Sequence, residues 1–368
     1  MDEHELQKRL RSLRDELDGV DTELIELATR RQQLVSDIGR LKKSHGRQLR
    51  DFKREREVID GVRKAAESKG LDPGLAEDLF QRLIEASLTR QEQERLRLAR
   101  HGHGQRALVI GGAGRMGRWV AAFLDGQGFD VIIADPSVEA DGEARFADWR
   151  DAPMDVGIIV VAAPLRISAE VLGELAQRTL HALVFDIGSL KSPLEPALRA
   201  AARAGLRVCS VHPMFGPDTQ LLSEKHVLLM DVGHSEAVEA ARSLFADTLA
   251  EVVVIDIDEH DRLMAPVLGL SHALSIVFFT ALADSGVPAE RLAQLSSTTF
   301  DRQLAIARGV AGENPDLYFE IQSLNRHGAG VREVLLEAVQ TLVHAIEHDD
   351  AEAFRHLMER GREYLSDL

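Results

Sequence analysis

Three glycines at fixed spacing are the first residues that point to chemistry. They form a G-x-G-x-x-G pattern directly after an apolar segment, ALVIGG (107–112), and directly before a helix-like segment. Glycines placed in this way permit a tight turn and let backbone N–H groups approach a pyrophosphate at the start of the helix. The predicted dinucleotide-binding loop consists of Gly112, Ala113, Gly114, Arg115, Met116 and Gly117.

An acidic residue favours a ligand in this loop over a glycine-rich turn that binds nothing. Asp135 ends the next apolar segment, DVIIAD, 21 residues after Gly114. A carboxylate at this distance can hold a ribose 2′-hydroxyl and repels a 2′-phosphate. The sequence therefore favours NAD over NADP.

Further polar residues follow later strand-like segments, at the ends where α/β sheets place their ligands. Ser189 and Lys191 come after ALVFDIG, and His212 lies in VHPMFGPD, held by two prolines and a glycine. His260 and His272 lie twelve residues apart in a helical region. A lone histidine is usually a packed or surface residue, but the setting of His212 favours a functional role.

The first hundred residues carry polar side chains at helical spacing. Arg31 and Lys42 share one helix face about 16 Å apart, whereas Arg14 is about 25 Å from Arg31 and turned away from it. A two-fold dimer could supply Arg14 from the other copy. Two later helices also group polar residues on one face: Asp51, Arg54 and Glu55, then Ser87 and Gln91. Spacing alone is more typical of a solvated helical hairpin that serves only dimerisation.

Apolar spacing predicts the helices that carry these residues. Apolar side chains recur at intervals of three, four and seven from Leu10 to Leu41, which predicts one helix of about 32 residues. Two more helices are predicted, over about 51–69 and from Asp72–Pro73 to about 98. The first helix cannot cover its own apolar stripe, so it must pack against other helices or a second copy of the chain.

After a polar, glycine-rich segment the pattern changes from helices to strands. Five short β-branched segments between residues 107 and 213 alternate mostly with helical ones, which predicts a parallel sheet in an α/β domain. Beyond Val254 helices are expected. The predicted divisions are an all-α domain at 1–99, a linker at 100–106, a Rossmann-type dinucleotide-binding domain at 107–256 and an all-α domain at 257–368.

Composition excludes several classes of function. The net charge is −16, and residues 101–368 carry 39 acidic against 22 basic side chains, which disfavours nucleic acid as a partner. The single cysteine, Cys209, excludes disulfides within the chain and multi-cysteine metal sites, and His101 and His103 in the linker are not expected to bind metal. The apolar runs are short, so no segment is expected to approach the ~20 residues of a spanning helix, and the N-terminus does not resemble a secretory signal. We therefore expect a cytoplasmic protein without membrane contacts.

The helical module resembles a known family. LRDELDGVDTELIELATRRQQLVSDIGRLK (13–42), RDFKRERE (50–57) and EASLTRQ (85–91) are similar to the all-helical chorismate mutases, in which three helices form an intertwined dimer. The resemblance implies a pericyclic rearrangement of chorismate to prephenate, which needs a fixed substrate shape and stabilised charge rather than a nucleophile or metal. The implied roles are carboxylate clamps at Arg14, Arg31 and Arg54, ether-oxygen contacts at Lys42 and Gln91, a substrate-hydroxyl contact at Glu55, and support from Asp51 and Ser87.

The remainder, about 105–365, resembles prephenate dehydrogenases through GGAGRMG, DIGSLK, VHPMFGPD, EHDRLMA and NPDLY. The resemblance implies that His212 takes the proton of the ring 4-hydroxyl while hydride passes to NAD⁺, after which carbon dioxide leaves and 4-hydroxyphenylpyruvate forms. Ser189 would orient that hydroxyl or His212. The other residues implied to bind substrate are Lys191, His260, His272, Arg308 and Tyr318. For the carboxylate-binding arginine Arg302 is the alternative, because an ungapped match places Gly309 at the expected position.

Together the two modules resemble bifunctional chorismate mutase/prephenate dehydrogenases of tyrosine biosynthesis, since the product of one is the substrate of the other. The resemblance implies a homodimer with contacts at both ends of the chain, and feedback inhibition by tyrosine near the dehydrogenase pocket. Three alternatives stay open: a helical module that only dimerises or regulates, a dehydrogenase that accepts arogenate, and a dehydrogenase of other hydroxy acids or imines.

Overall fold

The computed structural model describes residues 3–45 and 50–366, so the predicted domain ends at 1–2 and 367–368 lie outside the described residues. The N-terminal module consists of α1 (Glu3–Ser44), α2 (Phe52–Lys69) and α3 (Pro73–Ala99). At 42 residues α1 exceeds the predicted 32, because the charged segment before Leu10 contains no helix breaker. Both α1 and α2 pack against α3.

The ends of these helices follow the predicted capping residues. The Asp51 carboxylate accepts a hydrogen bond from Arg54 N at 3.0 Å, and Asp72 accepts one from Leu75 N at 2.9 Å. Gly70 ends α2 in the left-handed conformation, with φ of 74°. The predicted boundaries of α2 and α3 are therefore confirmed to within a few residues, whereas α1 begins seven residues before the predicted Leu10.

The second module is an eight-stranded sheet in the order β3-β2-β1-β4-β5-β6-β7-β8. Its strands are β1 (Arg106–Ile110), β2 (Asp130–Ala134), β3 (Arg145–Phe146), β4 (Ile158–Val161), β5 (Leu183–Asp186), β6 (Val208–Pro213), β7 (His226–Asp231) and β8 (Glu251–Asp256). The helices α5 (Leu165–Leu175) and α6 (Glu195–Arg203) cover one face, and α4 (Arg115–Gly126) and α7 (Ser235–Phe245) cover the other. All five predicted strands are present.

One strand pair departs from the expected parallel arrangement. β6 and β7 pair antiparallel, with His212 opposite Leu228, whereas the other neighbouring strands are parallel. The segment 214–225 joins β6 to β7 without a helix that could carry the chain across the sheet, so β7 returns beside β6. We call this segment the β6–β7 loop.

The C-terminal module is helical, as predicted. It contains α8 (Ile257–Met264), a π-helical turn (Ala265–Leu270), α9 (Ser271–Asp284), α10 (Ala289–Gln294), α11 (Thr298–Ala311), α12 (Pro315–Leu324), α13 (Gly328–Glu347) and α14 (Ala351–Ser366). The continuous stretch Ile257–Asp284 is long and apolar enough to cross a membrane, by length and composition alone. This corrects the expectation that no segment approaches that length. The expectation counted uninterrupted apolar runs, whereas this helix places His272 and several hydroxyl side chains within a charge-free stretch.

Hydrogen bonds fix the helical module to the sheet module. In the linker, Gly102 N donates to Gln127 O at 3.0 Å, and a Cβ at Gly102 would lie 2.5 Å from the Gly128 backbone. On α3 the buried Glu92 carboxylate accepts hydrogen bonds from Leu222 N at 2.9 Å and from Leu249 N at 2.5 Å. Burial raises the pKa of Glu92, while these two amides oppose the rise.

Candidate active sites

The glycine-rich loop has the geometry of a dinucleotide cradle. Gly111 adopts φ of 82°, and a Cβ at Gly117 would lie 2.1 Å from the Gly111 carbonyl oxygen. A Cβ at Gly112 would lie 2.7 Å from the Ile133 side chain. Among the described residues no side chain caps α4 at Gly114, so the amides of its first turn remain available to a phosphate.

Asp135 follows β2 directly and lies beside this loop. Its Oδ2 accepts a hydrogen bond from Ala113 N at 3.2 Å, and its Oδ1 accepts one from Ser137 N at 2.9 Å. A cavity of about 540 Å³ lies next to it, with Gly111, Asp135 and Trp149 in its wall. The carboxylate and the cavity fit the adenosine half of NAD.

A second cavity, of about 560 Å³, lies on the other side of the loop. Met116, Ser189 and Asn314 contribute to its wall. Arg115, also in the wall, donates to Asp218 at 3.0 Å and to Glu313 at 2.7 Å. The cavity therefore joins the glycine-rich loop, the segment after β5, and α12.

The carboxylate-binding arginine remains a prediction. Arg302 and Arg308 are both exposed on α11. Neither is among the described residues that line the second cavity.

His212 lies at the carboxyl end of β6, at the head of a buried chain of hydrogen bonds. Its Nδ1 lies 2.9 Å from His260 Nε2, and His260 Nδ1 lies 2.7 Å from Asp261 Oδ1. An ionised Asp261 requires a proton on His260 Nδ1, so His260 Nε2 accepts from His212 Nδ1. This assignment leaves His212 Nε2 unprotonated and able to act as a base.

The pKa shifts of His212 and Asp261 agree with this assignment of protons. Burial lowers the pKa of His212 well below its ordinary value, and the neighbouring His260 and Lys191 lower it further. Burial alone would raise the pKa of Asp261, but hydrogen bonds from His260, Ser192 and backbone amides hold that pKa well below its usual range. Asp261 is therefore ionised and His212 neutral near pH 7.

The structure corrects two predicted pocket residues. Lys191 Nζ is fully buried and donates to Asp186 Oδ2 at 2.7 Å, Gly188 O at 2.8 Å and Val211 O at 3.0 Å. All three of its protons are used within the protein, so it holds strand ends together rather than binding substrate. His260 is also fully buried, so it supports His212 rather than lining the pocket.

His272 and Tyr318 lie together, as expected for neighbours in one site. Their ring centroids are 4.3 Å apart. Burial lowers the pKa of His272 and raises that of Tyr318. No described residue hydrogen-bonds the buried Nδ1 of His272, which leaves that nitrogen for a ligand.

In the helical module the facing sides of α1 and α3 form a polar cluster. Arg31 donates to Ser87 Oγ and Leu83 O, each at 3.1 Å, and burial lowers the pKa of Arg31. Gln91 Nε2 donates to Val35 O at 2.5 Å, and a Cβ at Gly39 would lie 2.8 Å from the same nitrogen. The structure thus brings together three predicted residues, Arg31, Ser87 and Gln91.

Other predicted mutase residues have different surroundings. Arg14 is exposed on α1, and Lys42 is half-buried near the other end of that helix. Arg54 is exposed and pairs with Glu57 at 3.2 Å, and Asp51 caps α2. Both Glu55 oxygens accept hydrogen bonds from Arg50, at 3.0 to 3.2 Å.

Three residues that the sequence analysis missed take part in these sites. Gln32 Oε1 lies 2.8 Å from Ser87 Oγ, and its Nε2 donates to Leu83 O at 3.1 Å. Asp261 anchors the histidine chain, and Arg50 binds Glu55. Asp261 follows His260 directly in EHDRLMA, so its adjacency to a candidate histidine was the available signal.

Three family models match the chain in sequence order. They are Chorismate mutase type II at residues 13–92, the prephenate dehydrogenase nucleotide-binding domain at 124–254 and the prephenate dehydrogenase dimerization domain at 256–360. The second match begins after the glycine-rich loop. The order of the three matches agrees with the order of the three modules.

Individual relatives support the same division. The T-protein of Enterobacter agglomerans is 27% identical over 362 residues, which cover 97% of this chain and 93% of the relative. The 4-amino-4-deoxyprephenate dehydrogenase of Streptomyces pristinaespiralis is 30% identical over 273 residues, covering 71% of this chain and 92% of the relative. Prephenate dehydrogenase from A. aeolicus, solved with hydroxyphenyl propionate and NAD⁺, shares the fold with a TM-score of 0.57 and 19% identity, covering 72% of this chain and 98% of that chain. The chain therefore belongs to the bifunctional chorismate mutase/prephenate dehydrogenase family, with a type II mutase module and an NAD-dependent dehydrogenase module on one polypeptide.

Proposed function

We propose that the chain rearranges chorismate in its helical module and oxidises the resulting prephenate at His212. The observation that carries the proposal is the buried chain from Asp261 through His260 to His212, which leaves one imidazole nitrogen ready to accept a proton. We assign residues 1–99 to the mutase, 100–106 to the linker, 107–256 to the NAD-binding domain and 257–368 to the helical dehydrogenase domain.

In the dehydrogenase reaction, His212 Nε2 removes the proton from the ring 4-hydroxyl of prephenate. The glycine-rich loop and Asp135 would hold NAD⁺, which would supply the hydride acceptor for the carbon that bears this hydroxyl. Loss of carbon dioxide makes the ring aromatic, and the proton held by His212 can return to the phenolate oxygen. Asp261 stabilises the His212 imidazolium through His260, and Ser189 orients the hydroxyl or the imidazole.

In the mutase reaction, no proton needs to move and no covalent intermediate forms. Arg31 and Arg54 would hold the carboxylates of chorismate, and Arg14 would come from a second copy. Lys42 and Gln91 would stabilise the charge that develops on the ether oxygen, and Glu55 would bind the hydroxyl. Ser87 and Asp51 fix the Arg31 side chain and the start of α2, which supports this arrangement.

Arogenate is a second candidate for the dehydrogenase substrate. The relative from Streptomyces pristinaespiralis is named for a different prephenate derivative, so dehydrogenases similar to this module differ in the ring substrate for which they are named. Prephenate is favoured here because the same chain carries the module that makes it. The ratio of kcat/KM for prephenate and arogenate measures the preference.

We also propose that the enzyme is a cytoplasmic homodimer, without a membrane partner, that tyrosine inhibits at the dehydrogenase pocket. The α1 stripe supports dimerisation, since Leu17, Leu24 and Leu27 are each more than half exposed within one chain. A family model named for dimerisation matches residues 256–360. Two contacts per pair of chains would cover both surfaces.

A coupled assay tests both activities at once. Chorismate and NAD⁺ are supplied to wild type, Arg31→Ala and His212→Asn, and NADH and prephenate are measured. Wild type should form NADH, Arg31→Ala should need added prephenate, and His212→Asn should accumulate prephenate with a dehydrogenase kcat about 10²- to 10⁴-fold lower. If wild type forms NADH with added prephenate but not with chorismate, the helical module is only a dimerisation element.

A further inference from the structure

Arg50 lies between a mutase residue and the dehydrogenase module. Its guanidinium binds both oxygens of Glu55 on α2, at 3.0 to 3.2 Å. The same guanidinium donates to Ser223 Oγ at 2.5 Å and lies 3.1 Å from Glu224 Oε1. Ser223 and Glu224 belong to the β6–β7 loop, which begins directly after the strand that carries His212.

The surroundings of Arg50 fix its orientation. Its side chain is 18% exposed, and its guanidinium lies over the Phe52 ring at 4.2 Å from the centroid. Ser223 is buried. Glu224 adopts φ of 61°, a left-handed conformation that residues other than glycine rarely adopt. The loop therefore presents its carboxylate to Arg50 from an unusual backbone geometry.

We infer that Arg50 is a positioning residue of the mutase site, and that the dehydrogenase module fixes it through Ser223 and Glu224. A guanidinium that binds both carboxylate oxygens holds Glu55 in one orientation, which a single contact would not do. The inference rests on the proposed role of Glu55 in binding the chorismate hydroxyl. It makes the mutase site dependent on the neighbouring module within the same chain.

The test is a double-mutant cycle in the full-length enzyme. Mutase kcat and KM are measured for Glu55→Gln, for Ser223→Ala/Glu224→Gln, and for the triple variant. Arg95→Gln is the matched control, because Arg95 also forms a contact between the modules, to Asp247 at 2.8 Å, without reaching a proposed mutase residue. Dehydrogenase kcat with added prephenate reports whether the β6–β7 loop remains intact.

We call Ser223→Ala/Glu224→Gln the interface variant. We expect it to lose about three- to tenfold in mutase kcat/KM, as for a weakened charged hydrogen bond, with dehydrogenase kcat unchanged. Its effect should vanish when Glu55 is already Gln, because both changes act on one carboxylate. Arg50→Lys, which keeps the charge but loses the two-pronged contact, should resemble the interface variant.

Four results would overturn the inference. If the losses in mutase kcat/KM from Glu55→Gln and from the interface variant multiply in the triple variant, the interface acts on general stability. An equal loss of mutase kcat/KM in Arg95→Gln would mean the same. An interface variant with wild-type mutase kcat/KM would mean that Ser223 and Glu224 do not position the site. A silent Glu55→Gln would remove the proposed role of Glu55 itself, and the inference with it.

Discussion

At the scale of single residues, the decisive feature is how Asp261 sets the state of two histidines. Its carboxylate accepts hydrogen bonds from the His260 ring, from the backbone amides of Lys191 and Ser192, and from the Ser192 hydroxyl. Asn325 Nδ2 donates to the Asp261 carbonyl at 2.9 Å, which ties α8 to the end of α12. The orientation of the proposed base is thus determined two side chains away from it.

Replacement of Asp261 by Asn should lower dehydrogenase kcat by about 10- to 100-fold with mutase activity unchanged, because His260 loses its charged acceptor. The negative charge of Asp261 raises the pKa of His212 against the effect of burial, so its removal lowers that pKa further. The acidic limb of the kcat/KM profile should therefore move to lower pH. Asp258→Asn, on the exposed side of α8, is the control. An acidic limb that moved to higher pH would contradict the assignment.

At the scale of elements, the turn between β1 and α4 depends on close backbone contact. Gly117→Ala would place a methyl group 2.1 Å from the Gly111 oxygen, so the loop must shift. We expect KM for NAD⁺ to rise at least about tenfold with mutase kcat unchanged. Gly126→Ala, at the other end of α4, meets no described atom within 4 Å and should behave as wild type. An unchanged KM for NAD⁺ in Gly117→Ala would mean that this turn does not hold the cofactor.

The same elements show what the sequence could predict. The glycine loop and Asp135 were predictable because a motif encodes a local turn and a strand end. The mutase helices were predictable because their polar and apolar positions keep helical spacing. Glu92 gave no such signal: in RQEQERLRLAR it is one of several charged and polar residues in succession, and its burial depends on amides more than 100 positions away. Lys191 was misassigned because sequence shows that a lysine follows a strand but not which way its ammonium group turns.

At the scale of the whole molecule, a single chain leaves the proposed mutase site incomplete. Arg14 lies too far along α1 to reach the substrate that Arg31 would hold. If the second copy supplies it, Arg14→Ala and Arg31→Ala homodimers should both be inactive as mutases. Co-expression of the two variants should restore about a quarter of the mutase sites, since each mixed dimer contains one intact site. No recovery in a confirmed mixed dimer would mean that both arginines act within one chain.

The buried Glu92 also bears on how such a fused enzyme can change over evolutionary time. Its carboxylate is the acceptor for two amides of the dehydrogenase module, and those amides would be left buried and unsatisfied without it. An exchange of the helical module for one from another gene would have to bring a carboxylate to the same place. The two modules are therefore held together by a side chain inside the helical module as well as by the peptide that connects them.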